Sequence, residues 1–283
     1  MTSTPQRTHV NFHIGAPRIA DDLIWQAAAT PAVRSDTQVR LIRVGEYRKH
    51  LRHLVNAGPL SMEDFAFETE GSAAFWKDLR DHRIVVASQH ALMGHPKRVL
   101  RQGVILPHAE RRIAKLCALF NGHSMDLHLG ITDQARYLLQ LPAGNRDGDG
   151  GRLDFSERVP SWFDLAARIR ESCPNNRIIV WDFSEPDAVA LPFVMTLLGV
   201  EEDQLDVMKV AVADHVRHQS VLSKLFPRET LAPDVQALLR RQFEHDLQNL
   251  ETLQDTIVIR ADEVPDELRV GSDAQGQSVD PKT

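Results

Sequence analysis

Apolar positions along the chain fall into two alternating kinds of run. Short blocks rich in β-branched residues read as buried strands: THVNFHIG (8–15), HRIVVAS (82–88), SMDLHLGI (124–131), RIIVWDF (177–183) and TIVIRAD (256–262). TQVRLIRVG (37–45) reads as a shorter extended segment. Between the blocks, apolar residues recur at helical spacing. ADDLIWQAAAT (20–30) is a helix ended by Pro31, and EYRKHLRHLVNAG (46–58) one ended by Gly58. SAAFWKDLRD (72–81) is a third. PHAERRIAKLCALFNG (107–122) sets Ile113, Leu116, Cys117, Leu119 and Phe120 at helical spacing, with Gly122 as C-cap. SWFDLAARIRESC (161–173) opens on a capping-box-like Ser161 and Asp164. DAVALPFVMTLLG (187–199) contains Pro192, expected to kink it. APDVQALLRRQFEHDLQNLETL (232–253) is a long amphipathic helix with Val235, Leu238, Leu239, Leu247, Leu250 and Leu253 on one stripe.

Strands alternating with helices predict an α/β fold of three layers, α/β/α, around a mostly parallel sheet. Ligands of such sheets bind beyond the C-terminal ends of the strands. The expected organisation is an N-terminal extension (1–8), one α/β domain (9–262) and a disordered tail (263–283). The end of that tail, VGSDAQGQSVDPKT, has almost no apolar residues. Within the domain, the Gly- and Asp-rich stretch 142–160 is expected to be a mobile loop. No internal repeat is present.

Composition narrows the function classes. The 283 residues carry a net charge of −6, with 42% hydrophobic and 25% charged residues. That is the balance of a soluble globular protein, and it does not predict a broad surface for nucleic acid. No apolar run reaches the ~20 residues of a membrane span, so no membrane partner is expected. The start, MTSTPQRTHV, lacks the apolar core of a secretory signal. The two cysteines, Cys117 and Cys173, predict no disulfide framework and fit a reducing cytoplasm.

Four segments, taken in order, resemble the bacterial sulfotransferase family of P-loop NTPase-like fold. HIGAPRIADD (13–22) is similar to a loop H-x-G-x-x-K-T-G-T-T, and SQHALMG (88–94) to a stretch S-x-E-x-L-x-G after a strand. LHLGITDQARYLL (127–139) is similar to L-x-I-R-[DN]-P, and RRQFEHDLQNL (240–250) to a C-terminal helix with an [FY]-x-x-D-L core. The resemblance covers residues 9 to about 262. It implies 3′-phosphoadenosine 5′-phosphosulfate as sulfuryl donor, cradled by Gly15, Ala16, Pro17, Arg18, Ile19 and Ala20. It implies a catalytic Arg18 at the position of the loop lysine, and His90 as the base that takes the acceptor's hydroxyl proton. It implies a 3′-phosphate site at Thr132, where the family carries Arg, with Arg136 as a possible substitute. The acceptor would be a hydroxyl-bearing small molecule or glycan. No metal is implied, and the oligomeric state is left open.

The residues themselves qualify that picture. A strand-to-helix turn offers backbone N–H groups and the positive end of a helix dipole to an anion. Arg18 keeps a positive charge but cannot act as an acid. Ala20 stands for a glycine and loses easy access to positive φ. Asp21 and Asp22 stand for hydroxyl residues, answer the dipole themselves and repel a phosphosulfate. The plain alternative is a helix start capped by its own carboxylates. His90 follows a strand, where a base near pKa 6.5 is well suited, or it is a half-buried histidine with one backbone bond. Ser88 and Gln89 could orient it. His95 reads as loop. His215 and His218, three apart on a helix, and His245 lack the further ligands a metal site needs. Asp182 reaches the cleft or caps the next helix. Trp162 and Arg158 could line an acceptor pocket, although core packing suits Trp162 better.

Three functions are thus open. One is an active sulfotransferase with an unusual donor loop. Another is a catalytically lapsed relative that serves as a binding or interaction protein. An unrelated P-loop kinase or hydrolase is disfavoured, because G-x-x-x-x-G-K-[ST] is absent.

Overall fold

A computed structural model describes residues 8–14, 20–35, 38–56, 72–88, 99–121, 123–141, 155, 158–225 and 231–270. The sheet is six-stranded, and every pairing in it is parallel. Its strands are β1 (His9–His13), β2 (Val39–Ile42), β3 (Ile84–Ser88), β6 (Ser124–Ile131), β7 (Arg177–Asp182) and β8 (Thr256–Ile259), in the spatial order β2-β3-β1-β6-β7-β8. A separate hairpin pairs β4 (Leu100–Arg101) with β5 (Val104–Ile105). Each β-branched block of the sequence thus becomes a strand. The three central strands are buried on both faces because helices cover both.

Helices α1 (Asp21–Ala28), α9 (Pro186–Leu198) and α10 (Leu205–Leu225) pack on one face. The opposite face is covered by α4 (Arg52–Asn56), α5 (Ala73–Arg80), α6 (Ala109–Leu119), α7 (Gln134–Gln140), α8 (Trp162–Ser172) and α11 (Pro233–Leu250). Short helices α2 (Pro31–Ser35) and α3 (Val44–Glu46) complete the order, and a π-helical stretch (Tyr47–Leu51) joins α3 to α4. The α/β/α layering read from the sequence is therefore present.

Alternation along β1 sorts the two cores. Val10 and Phe12 turn to the α5/α6 face, where Phe12 meets Phe120 edge-on at 5.2 Å. His9, Asn11 and His13 turn to the α9 face, where Asn11 Nδ2 donates to Leu197 O at 2.8 Å. Helix α9 is buried nearly all round and runs on to Leu198 with Pro192 inside it. It ends at Gly199, whose φ of 64° lets Val200 N–H reach Met195 O.

Several boundaries differ from the sequence reading. The segment 37–45 is a strand only over Val39–Ile42, and the helical run begins at Val44. The short α7 has no counterpart in the sequence reading, and α10 enters it only as the helix that sets His215 and His218 three apart. Residues 263–270, expected to belong to the tail, pack against the domain. A 3₁₀ turn spans Asp266–Leu268, Val270 is buried, and its N–H donates to Asp187 O at 2.9 Å. Residues 271–283 lie outside the described ones. Within the expected mobile loop, Phe155 and Pro160 are buried and Arg158 pairs with Asp164.

Candidate functional site

The strand order reverses at β1. The chain leaves β1 toward β2 on one side, while β6 leads on to β7 and β8 on the other. The crevice outside the C-terminal ends of β1, β3 and β6 is therefore the topological site for a ligand. Register brings His13 level with Ser88 on β3 and with His128 on β6. All three side chains turn to the α9 face. His13 Nδ1 lies 2.9 Å from Ser88 Oγ, and its ring meets Phe193 edge-on at 5.3 Å. His13 and Ser88, the last residues of β1 and β3, are both buried, and the pair braces the two strand ends against each other.

Beside it runs a buried polar chain. Trp181 Nε1 donates to His128 Nδ1 at 3.2 Å, and His128 Nε2 lies 3.3 Å from Asn11 Oδ1. Asn11 in turn donates to the carbonyl at the end of α9. Burial lowers His128 to a pKa of about 3, and it is neutral at any physiological pH. At the other edge of the sheet, Asp126 accepts from Arg177 through both oxygens and lies 3.3 Å from His9 Nε2. Although burial opposes ionisation, these partners bring Asp126 down to about 2.

The strand ends β6 and β7 carry the next part of the rim. Thr132 is 3% exposed. Its Oγ1 points at Phe183 O (3.5 Å), and its own carbonyl accepts the indole N–H of Trp162 at 2.7 Å. Thr132 is thus sealed under Trp162 rather than offered to the crevice. Asp133 caps α7 by accepting from Arg136 N at 3.0 Å. Arg136 is exposed on that helix, and its guanidinium donates to Ser184 O at 2.8 Å. Asp182 accepts from Ser184 N at 2.8 Å, so it orders the turn into α9, and burial raises its pKa. Trp162 is core, as its size and pattern indicated.

Asp246, the aspartate of the FEHDL segment, is the hub that joins three helices. Its Oδ2 accepts from Trp162 N and Gln134 Nε2, both at 2.7 Å. Its Oδ1 accepts from Ser161 Oγ at 2.7 Å and Gln242 Nε2 at 2.8 Å. Burial raises its pKa against the hydrogen bonds from Ser161, Gln242 and Trp162 N. Ser161 Oγ also accepts from Asp164 N, the capping contact read from the sequence.

Of the segment expected to hold a donor, Gly15, Ala16, Pro17, Arg18 and Ile19 lie outside the described residues, as do His90, Gln89 and His95. Its end is described. Ala20 adopts the left-handed conformation, with φ 64° and ψ 0°, and offers α1 no side-chain cap. Asp22, on the first turn, is exposed. The polar residues that sequence reading missed are His13, Asn11 and His128. The signal was available: polar residues at every second position of an otherwise apolar strand share one face.

A cavity of about 380 Å³ opens at the N-terminal ends of β1 and β3, lined by Thr8, Val10, Trp76, Arg80 and Phe120 among others. It lies at the opposite edge from the topological crevice. Among the described residues, no group of three His, Cys, Asp or Glu side chains is arranged to hold a metal. No described helix is long and apolar enough to cross a membrane. Neither a protein-family model nor a curated protein matches the sequence.

Proposed function

We propose that this chain is a sulfotransferase-like protein that takes 3′-phosphoadenosine 5′-phosphosulfate at the C-terminal ends of β1, β3 and β6. The sulfuryl group of that donor would pass to the hydroxyl of a small molecule or glycan. The observation that supports this reading best is the strand order β2-β3-β1-β6-β7-β8. In it the central β1 leads through residues 15–19 to α1 at the point where the order reverses. By the resemblance, Arg18 and the N–H groups of residues 15–19 would answer charge on the leaving phosphate. His90, two residues beyond β3, would take the proton of the acceptor.

A second reading keeps the fold without the transfer: a lapsed relative that binds a partner. The sealed Thr132 favours it, together with the Arg136 guanidinium already bound to Ser184 O. Neither is free to grip a 3′-phosphate as a bidentate arginine would.

Calorimetric titration with 3′-phosphoadenosine 5′-phosphate, the spent donor, separates the two. Micromolar binding that is lost in Arg18→Ala supports the transferase, and loss of turnover in His90→Ala would then assign the base. No binding at millimolar ligand by folded protein rejects the donor site and leaves the binding protein.

A further inference from the structure

We infer that Cys117 and Cys173 form a reversible modification site, a vicinal dithiol that a low-molecular-weight disulfide converts to an intramolecular disulfide. The two residues are 56 apart in sequence, yet their sulfurs lie 3.2 Å from each other. Both are free thiols in the structure. Closing the bond brings the sulfurs to about 2.05 Å, a movement of about 1 Å within reach of side-chain rotation.

The surroundings hold the pair in place. Cys117 is on α6, and Cys173 directly follows α8. These helices pack side by side. One turn or two earlier, Arg168 of α8 pairs with Glu110 of α6 and also donates to Ile105 O at 2.7 Å. The backbone of Cys173 is fixed at both ends. Its N–H reaches Ile169 O at 2.9 Å, and its carbonyl accepts Asn176 N–H at 3.2 Å. The helices therefore do not have to move to bring the sulfurs together.

Access and charge divide between the two sulfurs. Cys117 is half-buried and Cys173 is buried, so Cys117 is the more accessible of the two. Cys117 S–H donates to Cys173 Sγ, and the nearby Arg170 guanidinium adds to the effect, so Cys173 is held below the ordinary thiol value. The same hydrogen bond, with burial, pushes Cys117 up. Of the two thiols, Cys173 is thus the readier to lose its proton, and the Cys117 S–H would hydrogen-bond the thiolate left behind.

The reaction balances with a disulfide R–S–S–R as oxidant. One protein sulfur attacks as thiolate, forming a mixed disulfide and releasing R–S⁻. The other protein sulfur then attacks the protein-bound sulfur of that mixed disulfide, and the second R–S⁻ leaves. Two protein thiols are oxidised, R–S–S–R is reduced to two R–SH, and the two thiol protons end on them. The product covalently staples α6 to the C-terminal end of α8.

The test uses the full, reduced chain with oxidised glutathione, followed by intact mass and thiol titration under denaturing conditions. The expected product is monomeric, lacks two hydrogens, has no free thiol, and melts several degrees higher than the reduced chain. Dithiothreitol restores both thiols and the lower melting temperature. Cys173→Ser should stop at a stable glutathione adduct on Cys117. Two thiols still titrating after oxidation, glutathione adducts alone on the wild-type chain, or only Cys117-linked dimers would each overturn the proposal.

Discussion

The indole N–H of Trp181 donates to Nδ1 of His128, 3.2 Å away. Because an indole nitrogen can only donate, this contact puts the imidazole proton on Nε2, which then donates to Asn11 Oδ1 at 3.3 Å. The Asn11 amide is left to donate to Leu197 O at 2.8 Å. One proton assignment satisfies β7, β6, β1 and α9 in sequence. Protonating Nδ1 would turn an acceptor into a donor facing another donor.

The stability of the fold should therefore depend on pH through His128. Its pKa falls from 6.5 to about 3, chiefly by burial, with His13, His9 and Arg177 lowering it and Asp126 raising it. Between those two values the unfolded chain binds a proton that the folded chain does not. Stability is complete above 6.5 and falls as pH drops, by about 3 kcal/mol at about pH 4. Asp126 contributes later, as pH falls from 3.8 toward 2, where its ion pair with Arg177 is lost. Urea unfolding at a series of pH values gives the slope. In His128→Gln the slope between about pH 6.5 and 4 should flatten, whereas an unchanged slope would assign the acid sensitivity to other groups.

Asp246 should be the most sensitive single carboxylate in the described structure. Four donors converge on it, and Asn at this position would turn an amide N–H₂ toward two of them. Leaving buried donors unmet, one of them the N-terminal N–H of α8, predicts a loss of about 2–4 kcal/mol for Asp246→Asn. Hydrogen exchange should quicken at Trp162 and along α7 well before the central strands respond. Unchanged denaturation with unchanged exchange would rule out the hub.

Ala20 sits where the motif it resembles has glycine, and it takes up the left-handed conformation that glycine would. A Cβ at φ 64° costs about 1–2 kcal/mol relative to a right-handed residue. Glycine loses part of that gain through the freedom of its unfolded chain. Ala20→Gly is thus expected to stabilise by a few tenths to about 1 kcal/mol, seen as a higher denaturation midpoint at constant m-value. At Gly199 the opposite substitution should hurt. An added Cβ would lie 2.1 Å from Ile84 Cδ1 at a φ of 64°, and Gly199→Ala should lose about 1–2 kcal/mol.

The layers were legible in the sequence because β-branched blocks and helical stripes obey periods that local physics sets. Helix α10 was legible only around His215 and His218 and not in its extent, because Val207 and Val210 face solvent and blur the stripe made by Met208 and Val212. Helix α7 was hidden for another reason: its cap, Asp133, read as part of a strand-end motif rather than as a helix start. The rim of the crevice was legible only as positions. Thr132 stands where the pattern puts it, but its burial under Trp162 depends on a residue 30 positions away, which no local spacing encodes. The Cys117–Cys173 contact is invisible for the same reason. It depends on the side-by-side packing of α6 and α8, not on any motif.

The two aspartates that open α1 make the last prediction. They begin the helix where an anion would meet its dipole, and Ala20 supplies no side-chain cap there. A like charge at about 4 Å from a bound phosphosulfate would cost on the order of 4 kcal/mol at an effective dielectric near 20. Asp22, however, is exposed, and water and salt screen most of its repulsion. The residual penalty is closer to about 1.4 kcal/mol, roughly a tenfold change in affinity. Asp21→Thr with Asp22→Thr should accordingly bind 3′-phosphoadenosine 5′-phosphate about tenfold more tightly than the wild-type chain in low salt. The advantage should shrink in concentrated salt, as expected for screened charge. Equal affinities at low salt would mean that the aspartates do not face the ligand, and the donor loop could no longer be held responsible for weak binding.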